Sequence, residues 1–332
     1  MWRLLRALVG VAGLLLLIAL SIAGWSAYAM FGAHALPKEQ TRVTIVRGAT
    51  FADITGQLVD TGVIANGTAF RLLAKVRHDD TDVRAGAYRF AAHQTESEVL
   101  RALLTGGAQV ATWVTIPEGF TASQIAERLA QAGIGTAGQL EHTFISTPMM
   151  VDGTRTPNLE GYLFPSTYLV EIDASPAQIV KQFTGQFFQE LPADAPTRAK
   201  ALRITVPQGV IVASLIEREA KIDADRPLIA GVIYNRLRDR MPLQVDATIE
   251  YALPEHKSAL SFADLRLDSP FNTYLRQGLP PTPIANPGRP SLEAAFHPAK
   301  TDALYYVYCG GGHHVFAKTL EQHQANVARC LK

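Results

Sequence analysis

The sequence predicts an α+β protein with an N-terminal transmembrane helix, a small β-α subdomain and a larger, mainly helical domain with short strands. Three observations support this prediction. Residues 7–33 contain no charged side chain, a β-α pattern occurs twice, and helical periodicity dominates from about residue 170. Because the chain has 332 residues, we expect more than one folded unit.

The N-terminal segment is predicted to be an uncleaved membrane anchor. Arg3 and Arg6 precede the uncharged stretch 7–33, which is longer than the ~20 apolar residues that span a bilayer. The positive-inside rule then places residues 1–6 in the cytoplasm and exports the rest, so we expect a single-pass protein of the inner membrane with its larger part in the periplasm. One alternative is a cleaved signal peptide ending near 33–35, but the apolar run is long for one. A buried core helix is a weaker alternative because the stretch has no polar face.

After a short linker at 36–40, a β-α pattern appears twice. Each copy has a short β-branched strand, a glycine turn, a threonine that can cap a helix, and a closing glycine. The copies run from Val43 to Gly62 and from Val114 to Gly133. The pattern resembles the start of a LysM-type module, which implies glycan binding by a subdomain at 41–110. The second copy, 112–134, falls in the larger predicted domain at 111–332, which also contains the acids discussed below as catalytic candidates. A recurrent β-α unit without a ligand is the other interpretation.

Composition limits the partners and cofactors that we expect. The chain carries 31 basic and 30 acidic residues, so nothing indicates a nucleic-acid partner. Its two cysteines, Cys309 and Cys330, show no zinc-ligand spacing, and their pairing stays open. Four histidines invite a metal hypothesis, but no HExxH-like spacing supports one, so we predict no metal and no other cofactor. They are His297, His313, His314 and His323.

The helix predicted over 207–220 carries two acids with different surroundings. Glu217 and Glu219 lie roughly 200° apart around the axis, so they cannot flank one substrate bond together. Glu219 continues the apolar stripe, whereas Glu217 is expected on a solvent-like face with Ser214, Arg218 and Lys221. Burial of Glu219 raises its pKa, and a neutral carboxylic acid can protonate a glycosidic oxygen. The alternative is an acid paired with a buried arginine.

The residues from 213 to 219, Ala-Ser-Leu-Ile-Glu-Arg-Glu, resemble the signature helix of the endolytic murein transglycosylase family. Residues 232–237 and 241–248 resemble the motifs that follow it. Further pieces agree in order and spacing, and the resemblance covers nearly the whole chain. They are residues 160–165, 272–274, 278–281, 297–300 and 314–316.

The resemblance implies that Glu219 is the catalytic acid and base, because it matches the second glutamate of the signature. The implied substrate is the glycan strand of peptidoglycan, cut between N-acetylmuramic acid and N-acetylglucosamine with formation of a 1,6-anhydro end. Because an anchored enzyme of this kind faces new glycan at the membrane, a further hypothesis is that it ends strand elongation beside peptidoglycan synthases. Five residues are candidates for substrate contact, with local structural support as the other interpretation of each. They are Gln244, Asp246, Asn235, Glu160 and Tyr274.

Two other functions compete with the glycan-cleaving lyase. A non-catalytic, membrane-anchored peptidoglycan-binding protein is supported by the β-α repeat. A metal-dependent wall hydrolase is supported only by the histidines. An acid at Glu219 that is needed for activity favours the lyase, whereas loss of activity with a chelator favours the metal hydrolase.

Overall fold

The computed structural model describes residues 2–31, 41–79, 83–91, 94–255, 257 and 259–330. The predicted linker at 36–40 and the cleavage-like residues 33–35 lie outside the described residues. The chain divides into two compact units, one made of Met1–Trp113 with Leu169–Asp173 and the other of Val114–Tyr168 with Ala174–Lys332. Helices and strands are mixed in the chain, which confirms the predicted α+β class.

The N-terminal segment forms helix α1, Trp2–Phe31. Within the described residues no single helix is long and apolar enough to cross a membrane, and Gly10–Ile22 is a shorter apolar helix. Two further helices, Ala195–Leu202 and Val206–Glu219, pass the same test only as a pair bent by 89°. Anchoring through residues 7–33 therefore stays a prediction.

The first unit combines a sheet with three helices packed on it. Its elements are β1 (Thr41–Ile45), α2 (Phe51–Asp60), α3 (Gly67–Arg77), β2 (Gly86–Phe90), α4 (Glu96–Thr105) and β3 (Gln109–Thr115). The sheet order is β1-β2-β3-β6, where β6 is Thr167–Glu171, and β2 is antiparallel to both β1 and β3. Gly86 is required beside β3 because a Cβ there would lie 2.5 Å from the Ala111 carbonyl oxygen.

The two β-α copies have matching helix starts. Thr50 begins α2 and Thr121 begins the helix of the second copy, each with a capping box in which the threonine and the residue three positions later satisfy one another's backbone N–H groups. Gly62 and Gly133, which close the copies, both have positive φ, at 73° and 81°. The repeated sequence thus reflects repeated cap and turn chemistry.

The second unit is mainly helical with two small hairpins. Its helices are α5 (Ala122–Gln131), α6 (Ala137–Ser146), α7 (Pro176–Glu190), α8 (Ala195–Leu202), α9 (Val206–Glu219), α10 (Arg226–Arg238), α11 (Asp246–Ala252), α12 (Arg289–Phe296) and α13 (Leu320–Cys330). The hairpins pair β4 (Met149–Val151) with β5 (Thr154–Thr156), and β7 (Tyr305–Tyr308) with β8 (His314–Ala317).

Helix α9 forms the centre of this unit. Every residue from Val210 to Ile216 is buried, on all sides of the helix. Gly209 lets α12 approach closely, because a Cβ there would lie 2.5 Å from the ring of Phe296. An all-round apolar helix is typical of the core of a sizeable domain, and it fixes the end of α9, where Glu219 lies.

The C-terminal helix α13 is held by a disulfide. Cys309, in the turn after β7, bonds to Cys330 with their Cα atoms 4.4 Å apart. The pairing that the sequence left open is thus present in the structure. No residue of α13 is fully buried, so the disulfide is a principal constraint on its position.

Candidate active site

Glu219 is the last residue of α9. The helix begins with a capping box between Thr205 and Gln208 and with Pro207 in its first turn, and Ala220 leaves the helix in an extended conformation. This end of α9 places the Glu219 carboxyl in a cleft of about 280 Å³. The cleft is lined by Glu219, Arg236, Leu243, Gln244, Asp246, Tyr274, Tyr306 and His323.

The surroundings of Glu219 favour its neutral form. Burial raises its pKa to about 7, the nearby Asp246 and Glu250 carboxylates act in the same direction, and Lys221 opposes them. The Tyr306 hydroxyl donates a hydrogen bond of 3.0 Å to Glu219 Oε2, which stabilises the charged form and limits the rise. A carboxyl group with a pKa near 7 can both release and accept a proton at neutral pH.

Glu217, two residues earlier, is bound in a buried ion pair. Its carboxylate lies 3.3 Å from Arg226 Nη1, with only 6% of the Glu217 side chain exposed, and it accepts a hydrogen bond of 2.9 Å from the Gly288 backbone N–H. The solvent-like face predicted for Glu217 is wrong, and Ser214 on that face is also buried. Other elements enclose residues 210–216 of α9 on all sides, and Arg226 and the Gly288 backbone N–H cover Glu217, whereas Arg218 on the same face stays partly exposed. Pairing with a buried arginine, considered above for Glu219, occurs instead at Glu217.

Gln244, Asp246 and Tyr274 lie together in the cleft, as neighbours of Glu219. The Tyr274 hydroxyl donates to Asp246 Oδ1, and Asp246 is the first residue of α11. The backbone of Gln244 has a φ of 52°, which is an unfavourable conformation for any residue other than glycine. Its backbone N–H donates to the Thr273 carbonyl oxygen at 3.1 Å, which holds that conformation.

Glu160 and Asn235 lie outside the cleft. The Glu160 carboxylate is buried, accepts hydrogen bonds from the Ala122 backbone N–H, the Tyr251 hydroxyl and Asn286 Nδ2, and has its pKa raised to about 7 by burial. Asn235 donates from Nδ2 to the carbonyl oxygens of residues 301 and 303, both at 2.9 Å. The structure thus brings three of the five predicted contact residues to Glu219 and not these two.

Comparisons with known proteins show the family of the chain. The YceG-like family matches residues 43–329, which is most of the chain. The chain belongs to the YceG-like family. This confirms the family resemblance that the sequence motifs indicated.

Relatives and a solved structure of the YceG-like family resemble the chain over most of its length. A Bacillus subtilis (strain 168) protein named endolytic murein transglycosylase is 35% identical over 302 residues, covering 86% of this chain and 83% of the relative. A Streptococcus pneumoniae (serotype 2, strain D39) protein of the same name is 31% identical, covering 95% of this chain and 64% of the relative. The crystal structure of a yceG-like protein from Listeria monocytogenes has a TM-score of 0.61 at 33% identity, covering 87% of this chain and 99% of that one.

Arg236 was not predicted as a site residue, although it lies in one of the motifs on which the resemblance to the family rests. It is buried, and it donates to the carbonyl oxygens of Leu304 at 2.6 Å and Leu243 at 2.8 Å. Its guanidinium carbon also lies 5.1 Å from the centre of the Tyr305 ring. One side chain thus ties the loop before Asp246 to strand β7, which are two walls of the cleft.

Tyr306 and His323 also line the cleft of this YceG-like protein, and the sequence did not predict them as site residues. His323 stacks on Tyr305 with ring centroids 5.2 Å apart, and its Nδ1 atom is buried without a hydrogen-bond partner among the described residues. Burial lowers the pKa of His323, and the Arg236 cation lowers it further. The imidazole is therefore favoured in its neutral form.

Two of the other histidines contact acidic side chains. His314 Nδ1 lies 2.9 Å from Asp225, and His297 contacts Asp194 and Glu293. Over the described part of the chain, no group of three or more histidine, cysteine or acidic side chains could hold a metal ion.

Proposed function

We propose that this protein is an endolytic murein transglycosylase, a lyase that acts on peptidoglycan, with Glu219 as its acid and base. The observation that carries the proposal is the Glu219 carboxyl group, whose pKa lies near 7, in a polar cleft at the end of the central helix. The names of its relatives in Bacillus subtilis and Streptococcus pneumoniae support the reaction class.

In the proposed reaction one carboxyl group acts twice. Protonated Glu219 donates its proton to the glycosidic oxygen as the bond from C1 of N-acetylmuramic acid breaks. The carboxylate then accepts the proton of the muramic acid 6-hydroxyl as that oxygen bonds to C1 and closes a 1,6-anhydro ring. Because no water is added, the paired carboxylates of ordinary glycoside hydrolases are not needed.

The other cleft residues have supporting roles in this proposal. Asp246 offers a negative charge that stabilises the positive character developing at C1, and Tyr274 orients it through their hydrogen bond. Gln244 presents an exposed amide to sugar hydroxyls. Tyr306 holds the Glu219 carboxyl in one orientation.

The test of the proposal is cleavage of purified glycan strands by the full-length protein. Glu219→Gln removes the proton donor while keeping the shape of the side chain, so we expect kcat to fall by about 10³-fold or more, since general acid and base steps each contribute about 10²–10⁴-fold. Glu127→Gln changes an exposed acid on α5 in the same way and serves as the control. Undiminished cleavage by Glu219→Gln refutes the assignment.

We also propose that residues 7–33 anchor the protein in the inner membrane, with residues 1–6 in the cytoplasm and the catalytic domain outside. The uncharged stretch and the two arginines before it support this topology. Membrane fractions are expected to retain the full-length protein after washing at high salt and high pH. Recovery of full-length protein in the soluble fraction contradicts the anchor.

From this position the enzyme would cut nascent strands and so end their elongation, beside the peptidoglycan synthases. The LysM-like subdomain at 41–110 would bind the glycan. Cells that lack the protein are then expected to contain longer strands. An unchanged strand-length distribution argues against this role.

A further inference from the structure

The second unit contains a larger cavity that the proposed reaction does not use. It has a volume of about 600 Å³, within the range of ligand-binding pockets, and it is lined mainly by threonines, prolines and other uncharged side chains. Two segments that the family resemblance singled out, around Tyr162 and at 278–281, line this cavity rather than the cleft of Glu219.

One α9 residue that lines the cavity, Gln208, lies on the same side of the helix axis as Glu219. Gln208, which lines the cavity, precedes Glu219 by eleven residues, so at 100° per residue the two side chains differ by only about 20° around the helix axis. At a rise of 1.5 Å per residue they are about 16 Å apart along it. A polymer longer than this separation can contact both places at once.

The charge of the cavity is positive only. Its charged lining residues are Arg155 and Arg203, and no acid is present among the lining residues that the structure describes. Both arginines are exposed, and within the described ranges neither has a carboxylate partner. Guanidinium groups bind carboxylates with two parallel hydrogen bonds, which makes them suited to an anionic ligand of this kind.

Peptidoglycan strands carry such carboxylates at a distance from the bond that is cut. The glycan of an intact strand is uncharged, because each muramic lactyl group is amide-linked to a stem peptide, and the negative charges lie on the stem. We propose that the cavity binds the carboxylates of a stem peptide on the strand whose glycan occupies the Glu219 cleft. This inference rests on the proposed function and names the part of the substrate that the cavity recognises.

The experiment compares two substrates, intact strands and the same strands whose stem carboxylates have been converted to carboxamides with carbodiimide and ammonia. Arg155→Ala/Arg203→Ala is expected to raise KM about five- to tenfold on intact strands, the size expected for two exposed ion pairs, with kcat unchanged. On amidated strands the variant and the wild type are expected to have equal KM values. The control is Lys181→Ala/Lys200→Ala, which removes two exposed cations that line neither the cavity nor the cleft.

Binding measured without cleavage separates this inference from the proposed function. In full-length protein carrying Glu219→Gln, the two arginine substitutions are expected to weaken binding of intact soluble strands by the same factor, whatever the reaction proves to be. An unchanged KM and Kd on intact strands overturns the inference. So does an equal defect on intact and amidated strands, because the arginines would then contact sugar.

Discussion

The hydrogen bond from Tyr306 to Glu219 gives a quantitative prediction about pH dependence. Tyr306→Phe keeps the ring, which packs against His314 and Phe316, but removes the hydroxyl that donates to Glu219 Oε2 at 3.0 Å. Since that bond stabilises the carboxylate, its loss raises the pKa of Glu219 above about 7. A hydrogen bond to a charged group contributes about 1.5–3 kcal/mol and one pKa unit equals about 1.4 kcal/mol, so we expect a rise of about one unit after subtracting the weaker bond to the neutral form.

The assay is the pH profile of kcat/KM for strand cleavage, which reports the free enzyme. The first step needs protonated Glu219, so activity falls as the pH rises through its pKa. With a pKa one unit higher, the variant keeps about five times the protonated fraction of the wild type at one pH unit above the wild-type pKa. Its alkaline limb therefore moves to higher pH, even though its maximal rate is expected to be lower because the carboxyl is less well oriented.

Tyr305→Phe is the matched control, because the neighbouring residue on β7 loses the same hydroxyl without a bond to Glu219. Its alkaline limb is expected to stay at the wild-type position. An alkaline limb that is unchanged or moves to lower pH in Tyr306→Phe refutes the reasoning. A shift of equal size in Tyr305→Phe refutes it as well.

Three further predictions concern the supports of the site. Glu217→Gln removes the buried carboxylate partner of Arg226 and leaves only the exposed Asp223, so the free energy of unfolding measured in urea should fall by about 2 kcal/mol while kcat of the folded protein is kept. A change below about 0.5 kcal/mol would contradict the buried pair. Cys330→Ser opens the loop closed to Cys309 and should lower stability by about 3 kcal/mol under oxidising conditions, whereas equal melting temperatures with the wild type would show that α13 is held otherwise. Arg236→Met leaves two buried carbonyl oxygens without their hydrogen-bond donor, so the free energy of unfolding should fall by about 2–4 kcal/mol and kcat should fall as well. Unaltered stability and activity would show that Arg236 does not hold the walls of the cleft together.

Local sequence signals predicted much of the fold. The capping threonines and closing glycines of the β-α copies are short-range features, and the structure shows the capping boxes and positive φ values that they imply. Helix α9 and its apolar stripe follow from periodicity in the same way. To predict that Glu219 points away from solvent, it was enough to know which face of this helix is apolar.

The parts that could not be predicted depend on contacts between distant segments. Tyr306 reaches Glu219 from 87 residues further along the chain, and His323 reaches the cleft on a helix fixed by a disulfide whose pairing the sequence left open. The burial of Glu217 was missed because periodicity shows which residues are apolar, not that other helices also enclose the polar face. Asn235 and Glu160 lie in motifs that resemble those of the family. A motif does not show whether a polar side chain faces the substrate or bonds to the backbone of the protein itself.

The central claim is that Glu219 acts as acid and then base without adding water. The most direct measurement is mass spectrometry of the fragments formed from purified strands in ¹⁸O-labelled water, with wild-type protein and with Glu219→Gln. The account predicts fragments with 1,6-anhydro ends that are lighter than hydrolysis products by one water, contain no ¹⁸O and are absent with Glu219→Gln. Fragments that carry ¹⁸O at the new reducing end would show hydrolysis and contradict the account.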